Sequence, residues 1–286
     1  MRDDRALALL IGGLTGAIVA RSTVIPSDRH FAFNLTIVVF SMGVAWTAGL
    51  RSDDLGLARR HVGAGFRYGG AVFLAITAAL ALAALFGLLD DDRTTIGISE
   101  MLLRVLVVIP IGTVVMEEFA FRGVLYGLLE HTATPVRSMV AGSVLFGLWH
   151  APPIAGGGAW TVLGTVVATT VAGAGFIRLR RRSGSLLAPV LAHLGTNSVT
   201  FALSWVASRS RAVRIGRSSG ARPLDSARSA TARQGWGHGD TPDGPTVRGT
   251  PAFAHRQRPR CRSTSVPVGP RAVSGSALSR MGRSGA

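Results

Sequence analysis

Cysteine is nearly missing from this chain of 286 residues, and the one present, Cys261, sits in a polar stretch. A disulfide framework and a cysteine-based metal site are therefore both excluded within one chain. Lysine is missing altogether: all 31 basic residues are arginine. That bias fits a GC-rich coding background and carries no functional weight. No phosphate-cradling loop is present either. The glycines fall mostly inside apolar blocks, where small residues such as Gly12 and Gly16 let helices approach closely. No specific nucleic-acid partner is expected, with nucleic-acid or anionic-lipid binding by the basic C-terminal stretch as the functional alternative for that segment.

Long apolar runs are abundant. Hydrophobic residues make up 48% of the chain, mean hydropathy is +0.36, and the apolar residues come in blocks long enough to cross a bilayer. This predicts an all-α fold, a polytopic transmembrane bundle of about seven spans (seven or eight), placed in the lipid bilayer of a cell membrane and most naturally a bacterial plasma membrane. The blocks are Ala6 to Ala20, Phe31 to Leu50, Gly69 to Leu89, Leu102 to Leu129, Pro135 to His150, Trp160 to Ile177 and Ser185 to Val206. The first is read as an uncleaved helix because further spans follow it. Thr134-Pro135 opens the fifth as a cap followed by proline at the first helical position, and Pro152-Pro153 ends it.

Three parts are expected: residues 1–95 with three spans, a core of four spans over residues 96–208, and an Arg-rich disordered tail over residues 209–286. The net charge of +16 is uneven, since the tail holds 15 Arg against three Asp. Its composition has no apolar periodicity, which is the profile of disorder, and it is also what a GC-rich gene read in another frame would give. Short loops carry the orientation signal. The loops Arg51 to Arg67 and Arg178 to Arg182 hold four Arg each and belong in the cytoplasm, whereas Asp90-Asp91-Asp92 and Ala151 to Ala159 fall outside. For seven spans this leaves the basic tail outside.

Charge within the spans is where chemistry is expected. Glu117, Glu118 and Arg122 lie inside the otherwise apolar fourth block, where an ionisable group costs roughly 2.5–3.5 kcal/mol on insertion scales and usually faces a protein interior with a partner. Glu118 and Arg122 are four apart, on one helix face, so one carboxylate can be tied to the cation while the other stays free. Two further spans carry imidazoles: His150 after Phe146-Gly147-Leu148-Trp149, and His193 four residues before Asn197. Counting a rise of ~1.5 Å per residue from the cytoplasmic ends places Glu117, His150 and His193 at depths of roughly 20, 22 and 12 Å. Three helices can thus present these groups to one pocket. Taken singly, each motif also fits a structural role: an interhelical lock, an interfacial histidine, a histidine–asparagine hydrogen bond.

The ordered triple Glu-Glu-x-x-x-Arg, Phe-x-x-x-His, His-x-x-x-Asn on successive membrane helices resembles the CAAX protease and bacteriocin-processing family, which includes the Abi proteins and type II CAAX prenyl endopeptidases. The resemblance covers about residues 100 to 206. It implies an intramembrane endopeptidase acting on a peptide or protein substrate at the membrane, of CAAX type or of leader or bacteriocin type. It further implies Glu117 and His150 as the pair that activates water, His193 and Asn197 as the oxyanion side, and Glu118 and Arg122 as charge-balancing and positioning groups. Two mechanisms stay open: one with no cofactor, and one in which Glu117, His150 and His193 hold Zn²⁺ with water in the fourth position. A non-catalytic immunity or partner-binding role on the same scaffold is the alternative. The His-Glu-x-x-His of zinc proteases and the Gly-x-Ser-Gly of rhomboid-like proteases are absent from the spans, and Gly237-His238-Gly239-Asp240, which mimics the aspartyl-protease motif, lies in the polar tail.

Overall fold

A computed structural model describes residues 2–89 and 96–218. Among these residues there is no strand, and seven long helices account for most of the chain: α1 (Arg2–Thr23), α2 (His30–Ala48), α3 (Val62–Leu85), α4 (Ile98–Thr132), α5 (Pro135–Trp149), α6 (Ala159–Ser183) and α7 (residues 187–218). Five of them, α1 to α4 and α6, are long and apolar enough to cross a membrane. The chain is a multi-pass helical membrane protein. By contrast α5 has only 15 residues, about 22 Å of rise.

Helix ends differ from the hydropathy blocks where packing extends a helix through polar turns. The helical run leading into α3 begins at Arg59 rather than Gly69 and stops at Leu85 rather than Leu89. Its glycine-rich first half is held by contact with the start of α7, where Gly65 faces Ser185 and Leu187 and Gly69 faces the backbone of Ala188. Helix α7 continues past residue 209 to Ser218. Arg209 lies over the Trp205 ring at 4.5 Å and Arg211 Nη2 donates to the Leu89 carbonyl at 2.9 Å, which gives these arginines partners within the bundle. The remainder of the basic tail, and Asp90 to Asp92, lie outside the described residues.

Around α1 the core is a stripe repeating every four residues, Ala6, Leu10, Leu14 and Ile18, packed on Ile37 and Val44 of α2 and on Val124, Leu125 and Leu128 of α4. The two arginine-rich loops meet at one end of the bundle, as their shared orientation signal requires. There Leu186 N–H donates to the Gly56 carbonyl at 2.8 Å, and Arg180 Nη2 donates to the carbonyls of Asp53 and Asp54 at 2.9 and 3.1 Å.

Helix α4 is not a regular α-helix. Residues Arg104–Val108, Pro110–Val115 and Phe119–Leu125 are π-helical. In the π register an N–H at position 110 would bond the carbonyl five residues back, and proline has none to give. Ser198 Oγ of α7 donates to that carbonyl, Val105 O, at 3.2 Å. Asn34 Nδ2 of α2 likewise donates to Gly112 O at 2.6 Å. Neighbouring side chains thus satisfy an irregular backbone where lipid could not.

The α3–α7 contact generates a paired prediction. A Cβ on Gly69 would stand 2.7 Å from backbone atoms of Ala188, whereas one on Gly70 meets nothing within 4 Å. Gly69→Val should lower stability in detergent by about 1–3 kcal/mol, the usual cost of overpacking, and Gly70→Val should leave it nearly unchanged. Thermal unfolding of the two variants side by side checks this.

Candidate active site

Four helices converge on one buried polar cluster in this apolar bundle. Its centre is the Glu118 carboxylate of α4, which is fully buried. Glu118 Oε1 accepts from Arg122 Nη1 at 2.9 Å and from His193 Nδ1 of α7 at 2.8 Å. The i to i+4 pair expected from the sequence is formed. The Arg122 Nε and Nη2 groups have no hydrogen-bond acceptor. Instead the guanidinium lies over the face of Phe146 of α5 at 3.7 Å and of Phe176 of α6 at 5.0 Å, where a ring quadrupole offers a desolvated cation part of what water would. Phe176 also stacks on the His193 ring, at 5.1 Å between centroids and 26° between planes.

Glu117, one residue earlier, faces a different set of groups. Its Oε1 accepts from Trp149 Nε1 of α5 at 3.2 Å, and its Oε2 is buried with no partner. That oxygen stands 4.0 Å from His150 Nε2 and 3.9 Å from His193 Nε2. The structure therefore brings Glu117, His150 and His193 together from three helices, as the depth count expects.

Both imidazoles have a fixed tautomer. His150 Nδ1 lies 2.8 Å from the Phe146 carbonyl, which can only accept, and His193 Nδ1 faces the Glu118 carboxylate, which in its ionised pair with Arg122 can also only accept. Each Nδ1 therefore carries the hydrogen, and in the neutral rings each Nε2 presents a lone pair toward Glu117 Oε2. Three acceptors pointing at one another require a hydrogen between them, from a water or from a proton on one of the three groups. Separations near 4 Å are too long for direct hydrogen bonds and short enough for one water to touch all three. His150 is the most exposed of the cluster, its side chain 26% accessible.

Asn197 is placed apart from this set. Its carbonyl accepts from Thr196 Oγ1 at 3.3 Å, and among the described residues it makes no hydrogen bond to Glu117, His150 or His193. It lines a neighbouring cavity with Thr113 and Thr196. Two site residues escaped sequence reasoning: Trp149 and Phe176. The indole was findable in principle, because a buried tryptophan N–H needs an acceptor and this one adjoins His150. Phe176 carries no such signal in Ala174-Gly175-Phe176-Ile177.

On donor type, Glu117, His150 and His193 suit a zinc ion. On spacing they do not as they stand. Ligands about 2.0–2.1 Å from a tetrahedral ion lie roughly 3.3 Å from each other, shorter than the two separations here. Among the described residues no group of three or more acidic, imidazole or thiol side chains is arranged to hold a metal ion.

A multi-pass helical membrane protein with a buried acid–imidazole cluster on its fourth, fifth and seventh helices is the class these observations define. Residues 99–199 match the family model described as type II CAAX prenyl endopeptidase Rce1-like, so this core is similar to the CAAX-type intramembrane proteases. The matched segment contains all six residues singled out from the sequence. Comparison with curated proteins and with solved structures gives no match.

The ion pair makes the cluster sensitive to truncation. Glu118→Ala would leave Arg122 buried without its carboxylate, and breaking such a pair from one side costs about 3–5 kcal/mol. Loss of folded protein in detergent, followed by size-exclusion profile and unfolding temperature, is the expected result. Glu117→Ala, which strands the Trp149 N–H but no charge, should cost about 1–3 kcal/mol and unfold above the Glu118→Ala variant.

Proposed function

We infer that the chain hydrolyses peptide bonds of membrane-associated substrates with a water activated by Glu117 and His150. The observation that carries this reading is the unpartnered Glu117 Oε2 facing two imidazole Nε2 atoms at 3.9 and 4.0 Å. A water among them gives one hydrogen to Glu117 Oε2 and is oriented by a second contact to His150 Nε2. Its oxygen attacks the scissile carbonyl as its proton passes to Glu117. The tetrahedral intermediate collapses when that proton reaches the departing amine, and a carboxylic acid and an amine leave.

Oxyanion stabilisation falls to the α7 side. The Asn197 amide N–H groups have no partner among the described residues and stand one turn beyond His193, and donors already oriented in a low-dielectric site are worth far more than in water. Glu118 and Arg122 act through His193: the Glu118 hydrogen bond keeps the proton on Nδ1 and directs Nε2 at Glu117. Trp149 acts in the same indirect way. By holding Oε1 it leaves Oε2 as the oxygen that takes the proton, which makes it a positioning residue. Because the donor spacing around Glu117 is wider than a zinc ion would set, no step is routed through a metal. The substrate is taken as a peptide of CAAX type or of leader or bacteriocin type.

Cleavage of a panel of prenylated and unprenylated peptides by the purified protein tests the reading. Glu117→Gln and His150→Ala should each lower kcat/KM by about 10³-fold or more, in the range expected for loss of general-base catalysis, while Glu130→Gln stays near wild type. Trp149→Phe, which keeps the ring but not the donor, should lower kcat by about 10-fold with little change in KM. Turnover should survive chelation, with metal well below one ion per chain; one zinc per chain lost together with activity would replace the metal-free mechanism. A folded wild type that cleaves no peptide would favour a binding or immunity role.

A further inference from the structure

We propose that the crevice between α4 and α7, next to the Glu117–His193 pair, is a hydrated passage that delivers the hydrolytic water. The proposal rests on the hydrolase reading above and adds the route by which its second reactant arrives. The crevice has a volume of about 290 Å³ and is lined by Thr113, Thr196, Asn197, Thr200 and Ser204, with Phe201 among its apolar walls. Thr113 precedes Glu117 by one turn on α4, and Asn197 follows His193 by one turn on α7. Both displacements run toward the same end of the bundle, the end away from the arginine-rich loops, so the crevice lies about one helical turn beyond the acid–imidazole cluster, with Thr113 and Asn197 as the lining residues nearest to it in sequence.

Its polar groups are not used up by the protein. The Thr196 hydroxyl turns back onto the His193 carbonyl at 2.8 Å, and that of Thr200 onto Thr196 O. The Thr113 hydroxyl, the Ser204 hydroxyl and the Asn197 amide hydrogens make no hydrogen bond among the described residues, although Ser204 is 95% buried. Lipid tails cannot satisfy such groups. A space this large and this polar holds several waters, each with two or more partners.

The opposite flank of the cluster is different. There a cavity of about 200 Å³ between α1, α4 and α5 is walled by Leu14, Ile18, Phe121, Leu145 and the ring of Trp149, and apolar cavities of that kind stay dry. Water reaches Glu117 along the face of α7 carrying Asn197, Thr200 and Ser204, and the Trp149 ring walls the apolar cavity on the α1 side.

Because Cys261 is the only cysteine, Cys261→Ser supplies a thiol-free background. In reconstituted vesicles a sulfonated, membrane-impermeant methanethiosulfonate reports water, since only a hydrated thiol ionises to the reactive thiolate. Ser204→Cys and Thr113→Cys should react at least ~10-fold faster than Val171→Cys, on the exposed apolar face of α6. Filling the crevice with Ser204→Leu should lower kcat by about 10-fold or more with KM within about twofold, and Ser204→Thr should retain wild-type kcat. An S204C thiol no more reactive than the V171C thiol, in a protein that still cleaves peptide, overturns the passage and leaves the hydrolase reading standing. A fast-reacting S204C thiol in a protein that cleaves nothing overturns water delivery by removing the hydrolase it serves.

Discussion

The Glu118–Arg122 pair is the constraint on which the rest of the core depends. Two full charges with almost no solvent exposure are costly to bury, and pairing offsets this only when the geometry is good. Here the carboxylate is shared with His193, and the guanidinium is sandwiched by rings from α5 and α6. One ion pair thereby links four helices through directional contacts that cannot slip by a turn without stranding a charge. Buried ion pairs contribute little to net stability, so the better account of this one is register: it fixes how α4, α5, α6 and α7 stand relative to one another.

That register decides which nitrogen of each imidazole faces inward. His193 has its Nδ1 hydrogen claimed by Glu118 and His150 has its own claimed by the Phe146 carbonyl. What remains is a carboxylate oxygen opposed by two lone pairs, an arrangement that is unfavourable when empty and favourable once a hydrogen-bond donor enters. The electrostatics of the cluster select for water before any substrate is considered. The N-terminal helices, outside the family match, act as its wall: the α1 stripe covers the apolar back of α4, and Asn34 of α2 caps a carbonyl loosened by the π-helical turns.

Much of this was legible because charge inside an apolar run is expensive. Glu117, Glu118 and Arg122 stand out on that ground, their four-residue spacing predicts the ion pair, and rise per residue places Glu117, His150 and His193 within reach of one another. Packing was not legible. Nothing in a hydropathy profile distinguishes Phe176 from any other apolar residue, and the π-helical stretches of α4 depend on Ser198 and Asn34, which are remote in sequence. The early start of the α3 run reflects glycines that read as spacing until the Ala188 backbone is seen against Gly69. Arg209 and Arg211 read as the first residues of a polar tail because their partners, Trp205 and the Leu89 carbonyl, are tertiary. The separation of Asn197 from the other site residues follows from the same limit: helical spacing from His193 gives its height on α7 and says nothing of the hydroxyl-lined recess beside it.

The brevity of α5 has a mechanical consequence for the surrounding bilayer. A helix of 15 residues, about 22 Å long, is packed along a 25-residue neighbour, about 37 Å long, and ends at Trp149 in a Pro-Pro turn. Lipid touching this side meets a hydrophobic wall shorter than its own ~30 Å core and must thin or draw headgroups inward there. The partly accessible His150 lies at that dip. Any polar group entering from the membrane surface has less hydrocarbon to cross beside α5 than along the longer helices, so the short helix lowers the barrier between the headgroups and His150.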